Sequence, residues 1–200
     1  MDVREQATSA LKIARHLLRD APKNIDLKEE RKMIEQAKTA AKLRAWEQTQ
    51  RFAEVAQSSI SLKLGLYTRT KNLLNYVMVN IEELHARGIP AQKYQQTCSA
   101  LYDMLEAGRI QQAFENGEAL DVMISSIIQL QNDYQTLGSR FIFLQSEDIA
   151  VPDISSDLAQ INEALRNGDI EAARGIFNTT IISVFIIRVR AIDKYFLPIT

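Results

Sequence analysis

Two hundred residues, 46% hydrophobic and 24% charged, suffice for one large domain or a few small ones and exclude global disorder. Seven Gly and four Pro are few for this length, which argues against a turn-rich all-β chain and for an all-α fold. The net charge of −1 hides an asymmetry: residues 1–75 hold 15 Lys/Arg against 9 Asp/Glu, and residues 76–200 hold 9 against 16.

The first predicted helix covers residues 2–20, with Ala10, Ile13, Ala14, Leu17 and Leu18 at three-and-four spacing. Pro22 breaks the pattern. A second helix runs from Asp26 or Leu27 to Leu43, with Leu27, Ile34, Ala37 and Ala41 on one stripe and Lys28, Arg31, Lys32, Lys38 and Lys42 mostly on another face. From Ala45 to Arg87 there is no proline and one glycine, Gly65. Its inward frame reads Trp46, Thr49, Ala53, Ala56, Ile60, Lys63 or Leu64, Tyr67, Leu74, Val77, Ile81 and Leu84, a heptad-type seam. Gly88-Ile89-Pro90 ends this helix and starts the next, Ala91 to Ala107, which stops at Gly108. A long run from Arg109 to about Ser146 follows, then Pro152, a short helix over Ile154 to Asn167, and a last helix after Gly168.

The segment Leu165-Arg-Asn-Gly168-Asp-Ile170-Glu-Ala-Ala173 has an earlier counterpart in Leu105-Glu-Ala-Gly108-Arg-Ile110-Gln-Gln-Ala113. Earlier still, the same frame reads Ala41-Lys-Leu-Arg44-Ala-Trp46-Glu-Gln-Thr49. Ile25, Ile89 and Ile149 precede their respective turns, at Arg44, Gly108 and Gly168, by the same interval. Moved from the Arg44 turn to the Gly108 turn, the inward frame predicts Ile110, Ala113, Gly117, Leu120, Ile124, Ile127 or Ile128, and Gln131. Moved on to the Gly168 turn, it predicts Ile170, Ala173, Phe177, Thr180, Val184, Ile187 and Ala191. The first helix obeys the same offsets through Ala10, Leu74 and Tyr134, then Ile13, Val77 and Leu137, then Leu17, Ile81 and Phe141. The expected organisation is three copies, at 1–64, 65–128 and 129–200, each a helix, a Pro-containing loop, a second helix, a tight turn and a third helix.

This organisation resembles the spectrin-like three-helix repeat, in which the last helix of one bundle continues as the first helix of the next. The resemblance covers the whole chain and is architectural: the interval from Arg44 to Gly108 to Gly168 is much shorter than the repeat of spectrin, and Trp occupies the seam only at Trp46. It implies a rod with no inherited functional residue. The alternative is a compact bundle, formed if Gly65 and Gly138 interrupt the two long helices.

Catalytic motifs are missing: there is no Gly-rich phosphate loop, Gly-x-Ser-x-Gly elbow or His-Glu-x-x-His. His16 flanks a core stripe and His85 lies in a last helical turn, where a cation meets the helix dipole. Cys98 is the only cysteine, which excludes an internal disulfide and suits a reducing compartment; without a nearby base in sequence it reads as a small core residue. Glu29-Glu30, Glu82-Glu83 and the pair Asp153 and Asp157 read as solvated faces and helix starts. No cofactor or metal site is expected.

Two regions stand out as partner contacts. The cations Lys28, Arg31, Lys32, Lys38 and Lys42 correspond to Gln92, Gln95, Gln96, Tyr102 and Glu106 in the second copy, so the fold does not demand them. The last helix is apolar on more than one face, with Phe185, Ile186 and Val189 beyond its stripe. The longest apolar run, Ile181 to Ile187 interrupted by Ser183, is far short of the ~20 residues that span a bilayer, and no secretory signal precedes it. The expectation is a cytoplasmic, non-enzymatic scaffold that binds protein partners or a second copy of itself. The alternatives are a nucleic-acid or anionic-lipid binder acting through the basic first copy, and a small-ligand sensor with a pocket between helices.

Overall fold

The computed structural model describes residues 2–147 and 153–196, with side chains described as far as Val184. It is all-α. Among the described residues there are seven helices, α1 (Val3–Asp20), α2 (Lys28–Lys42), α3 (Trp46–Ala86), α4 (Gln92–Glu106), α5 (Ile110–Ser146), α6 (Ser155–Arg166) and α7 (Ile170–Phe196). The two long helices pass through Gly65 and Gly138 without a break. A Cβ added at either glycine would meet nothing within 4 Å, so each occupies open helix surface.

Helix ends follow from local chemistry. Asp2 caps α1 by accepting from the Arg4 amide, and Asp153 accepts from Ser155 N at 2.9 Å at the start of α6. The turns between α2 and α3, α4 and α5, and α6 and α7 share one pattern. In each, a residue with positive φ (Arg44 58°, Gly108 78°, Gly168 74°) donates to a carbonyl three residues back. The following residue donates five back: Ala45 to Ala40, Arg109 to Met104, Asp169 to Ala164. This left-handed C-terminal cap suits glycine, and Arg44 adopts it without that freedom. Gly88 closes α3 in the same way.

The chain divides into two compact units, Met1–Tyr76 with Thr97–Ala119, and Val77–Gln96 with Leu120–Thr200. In the first, Ala10, Ala37 and Ala53 form a core cluster with Leu11 and Phe52 against it. In the second, Leu130, Ile161, Leu165, Ala173 and Phe177 form a core flanked by Tyr134, Leu137 and Ile170. The seam positions of α5, from Ile110 through Ala113, Gly117, Leu120, Ile124 and Ile127 to Gln131, are all buried. On α7, Ala173, Phe177 and Thr180 are buried, Ile170 and Val184 half-buried, and Ile187 and Ala191 outside the described side chains. Ile25 and Ile89 are both buried; Ile149 and Pro152 lie outside the described residues.

Three expectations about which residues face inward or outward need correction. Ile13 is 43% exposed, and α1 instead buries Ala7, Ala10 and Ala14. Packing α1 through methyl groups lets its backbone approach Ala37 and Ala53, and the bulkier Ile13 is turned off that face. On α2, Ala40 is buried while Ala41 is only half-buried, and Glu30, expected on a solvated face, is 2% exposed. Its partners lie on α3, which explains the burial.

Tight turns are also seated against the loops of the preceding segment. A Cβ at Gly108 would stand 2.5 Å from the carbonyl oxygen of Asn24, whose side-chain amide donates to Leu105 O at 3.2 Å. Gly168 in turn faces the Pro90 ring, at 3.6 Å from a Cβ.

Candidate interaction surfaces

The cations of α2 divide into two kinds. Lys28, Lys32 and Lys38 each have an acidic neighbour: Asp26 at 3.9 Å, Glu29 at 2.7 Å and Glu35 at 2.6 Å. Arg31 and Lys42, both exposed, have no carboxylate within 4.0 Å among the described residues. Glu35 is the centre of this surface. A hydrogen bond from Lys38 holds its carboxyl below the usual range, and the charges of Lys38, Lys42 and Arg15 of α1 act in the same direction. Three cations around one carboxylate leave a modest positive patch. The exposed pairs that trim it contribute little to stability, because solvent screens them.

Apolar side chains also face outward. Leu43, at the end of α2, is 76% exposed, and Leu62 on α3 is 75% exposed. Val55 stands two helical turns before Leu62, so the two share a helix face, with Ser58, Gly65 and Leu66 forming a shallow groove beside them. On α5, Val122, Met123, Ile142 and Phe143 are exposed, as are Ile181 and Ile182 on α7. The sequence reading placed the apolar contact surface on the last helix alone. Phe185, Ile186 and Val189 fall within α7, but their side chains lie outside the described ones. The outward residues of α3 and α5 fall outside the inward frame of each helix; a count of two apolar stripes on one helix is the signal that marks them.

A third group is the buried polar set at Glu30. Its Oε1 accepts from Ser59 Oγ at 2.5 Å and from Lys63 Nζ at 2.8 Å, and Lys63 also donates to Asp26 O at 2.9 Å. Oε2 is buried and has no hydrogen-bond partner among the described residues. Burial pushes the Glu30 carboxyl up, but the hydrogen bonds from Lys63 and Ser59 outweigh it and hold the group below its ordinary value. The sequence carried a signal here, since Lys63 occupies a seam slot that Ile127 fills one offset later.

The remaining singled-out residues are plain. His16 is exposed and lies 2.5 Å from Asp20, one helical turn on. His85 sits exposed in the last turn of α3. Cys98 is fully buried, with Sγ 3.7 Å from Leu74 O, and burial pushes its thiol up, away from nucleophilic chemistry. Glu83 pairs with Arg87, which also donates to Asn132 at 2.6 Å. Asp157 accepts from Thr180 at 3.0 Å and ties α6 to α7. No helix among the described residues is long and apolar enough to cross a membrane. Comparison of the chain with protein-family models, with curated proteins and with solved structures finds no match.

Proposed function

We propose that this chain is a tandem array of three short helical units of the spectrin-like kind, acting in the cytoplasm as a non-enzymatic scaffold for protein partners. The array reading is supported by the shared cap at Arg44, Gly108 and Gly168 and by the seating of Gly108 on Asn24 and of Gly168 on Pro90. The observation that carries the scaffold reading is the outward apolar rows of α3 and α5. A buried surface is satisfied within the chain, whereas Val55, Leu62, Val122 and Ile142 gain from being covered by another molecule. Shallow grooves along single helices suit an added helix better than an enclosed small molecule.

Placing a photo-crosslinking amino acid at Leu62, Ile142 or Val189, with exposed Gln111 as control, tests this in an extract of the source cells. The expected result is a band of defined mass at one or more of the three sites and none at Gln111. Absence of any adduct, or the same pattern at the control, would overturn the reading. A compound that raises the melting temperature in a dose-dependent way would favour the ligand-sensor alternative.

A further inference from the structure

We infer that the outward face of α3 in the first unit is the seat of a second copy of this chain, the two helices packing antiparallel about a two-fold axis near Ser61 and Leu62. The pairing rests on the scaffold reading, in which that face meets another molecule, and it identifies the molecule. Val55, Leu62 and Tyr76 are all exposed there. The fold does not demand the first two, since one offset later their places hold Ala119 and Ser126. Steps of three and four from Arg51 to Tyr76, through Leu62 and Arg69, keep to one side of the helix, and each residue on them is exposed or borders solvent. That strip is about 40 Å long at 1.5 Å per residue.

The strip is complementary to itself when one helix is reversed. With Ser61 of each copy against Leu62 of the other, Val55 falls opposite Thr68, Ser58 opposite Gly65 and Glu54 opposite Arg69. A two-fold axis makes each of these meetings occur twice. The apolar side chains then lie over short ones, and a carboxylate meets a guanidinium at both ends. The other cation of the strip, Arg51, falls opposite Asn72, so no like charges meet.

Both charged groups are open to such a partner. Glu54 accepts from Gln50 Nε2 at 2.7 Å and has no cation within 4.0 Å among the described residues. Arg69 lies over the Phe114 ring, and its carboxylate neighbour Glu118 stands 3.8 Å away, at the limit of an ion pair, with the arginine side chain 71% exposed. Other arrangements of the same strip lose the match. Sliding one helix by a heptad sets Glu54 against Leu62 in one direction, and Glu54 against Tyr76 with Arg69 against Ser61 in the other. A parallel pairing in register stacks Glu54 on Glu54 and Arg69 on Arg69, which repel. One helix on one helix is a small interface, so the dimer should dissociate in the micromolar range.

Sedimentation equilibrium of the purified full chain tests the pairing with no other protein present. The expected result is a mass that climbs with concentration from 22.7 kDa toward twice that value. L62D, at a side chain the chain itself leaves exposed, should keep the protein monomeric with its melting temperature unchanged. E54R sets arginine against arginine at both ends and should weaken the dimer about tenfold, and E54R/R69E reverses both pairs and should restore it. A chain that stays monomeric at its highest soluble concentration, or a dimer indifferent to E54R, would overturn the inference. Disulfide trapping in a Cys98→Ala background reads the direction of packing. A mixture of S58C and G65C chains should oxidise to a covalent dimer, whereas S58C by itself should not, because its two copies then stand about 10 Å apart along the axis. Equal trapping of S58C alone would sink the antiparallel seat. A purified chain that is monomeric yet gives an adduct of another mass at Leu62 in cell extract would overturn the second-copy pairing and leave the scaffold reading standing.

Discussion

The core layer at Ala10, Ala37 and Ala53 and the one at Tyr134, Ile161 and Phe177 stand at the same sequence offsets from the Arg44 and Gly168 turns, yet they hold very different volumes. Between them in sequence stand Leu74, Leu101 and Gly117, where a Cβ on the glycine would press at 3.2 Å on Leu73 and Leu74. Leu74 on one helix is matched by Gly117 on its neighbour, whereas in the first layer all three positions are alanine. The difference teaches that one helical plan tolerates a wide range of filling as long as total volume and backbone spacing change together.

Mutations sharpen this comparison. The largest effect is expected for Phe177→Ala, about 3–5 kcal/mol by chemical denaturation, because a large aromatic cavity opens in a filled layer. A loss of under about 1 kcal/mol would mean that this layer is not packed as described. Gly108→Ala should follow at about 3 kcal/mol, combining left-handed strain with a clash against the Asn24 carbonyl. Gly88→Ala, with the same strain and no neighbour within 4 Å, should cost less than half as much, and parity between the two would remove the seating of Gly108 from the account. Ala37→Leu overfills the alanine layer and should cost about 1–3 kcal/mol, whereas the second unit already carries Ile161 at that place.

Smaller effects test the surface. Arg44→Gly relieves a left-handed residue and Gly65→Ala strengthens an open helix position, so each should stabilise by about 1 kcal/mol. A break in α3 at Gly65 would reverse the second sign. Least of all, Lys38→Gln should leave the denaturation midpoint essentially unchanged, since its pair with Glu35 is exposed. The same variant, with Lys42→Gln, should abolish any binding of heparin at low salt, and that binding should already vanish at physiological ionic strength. Retention at high salt would favour the polyanion-binding alternative.

The helices and their ends were legible in the sequence because each carries its own signal. Pro22, Gly88, Gly108 and Gly168 act within a turn of themselves, and the three-and-four spacing of α5 matches its buried face throughout. The contact surfaces were only partly legible. Lys28, Lys32 and Lys38 read as one basic face, yet each carries an acidic neighbour, a pairing that the count of cations conceals. Leu62 and Val122 fall outside the inward frame, yet nothing in the sequence marks them as a contact surface, since apolar character does not say which side of a helix is covered.

What the chain alone determined is the all-α class, the position of each tight turn and the seam of each long helix, all properties of neighbours within a few residues. Only the tertiary structure decided that Ile13 faces out while Ala14 faces in, and that Glu30 is buried beside Ser59 and Lys63. Those outcomes depend on how closely helices distant in sequence approach. That spacing is set by the sum of the side chains between them, a quantity no single helix contains.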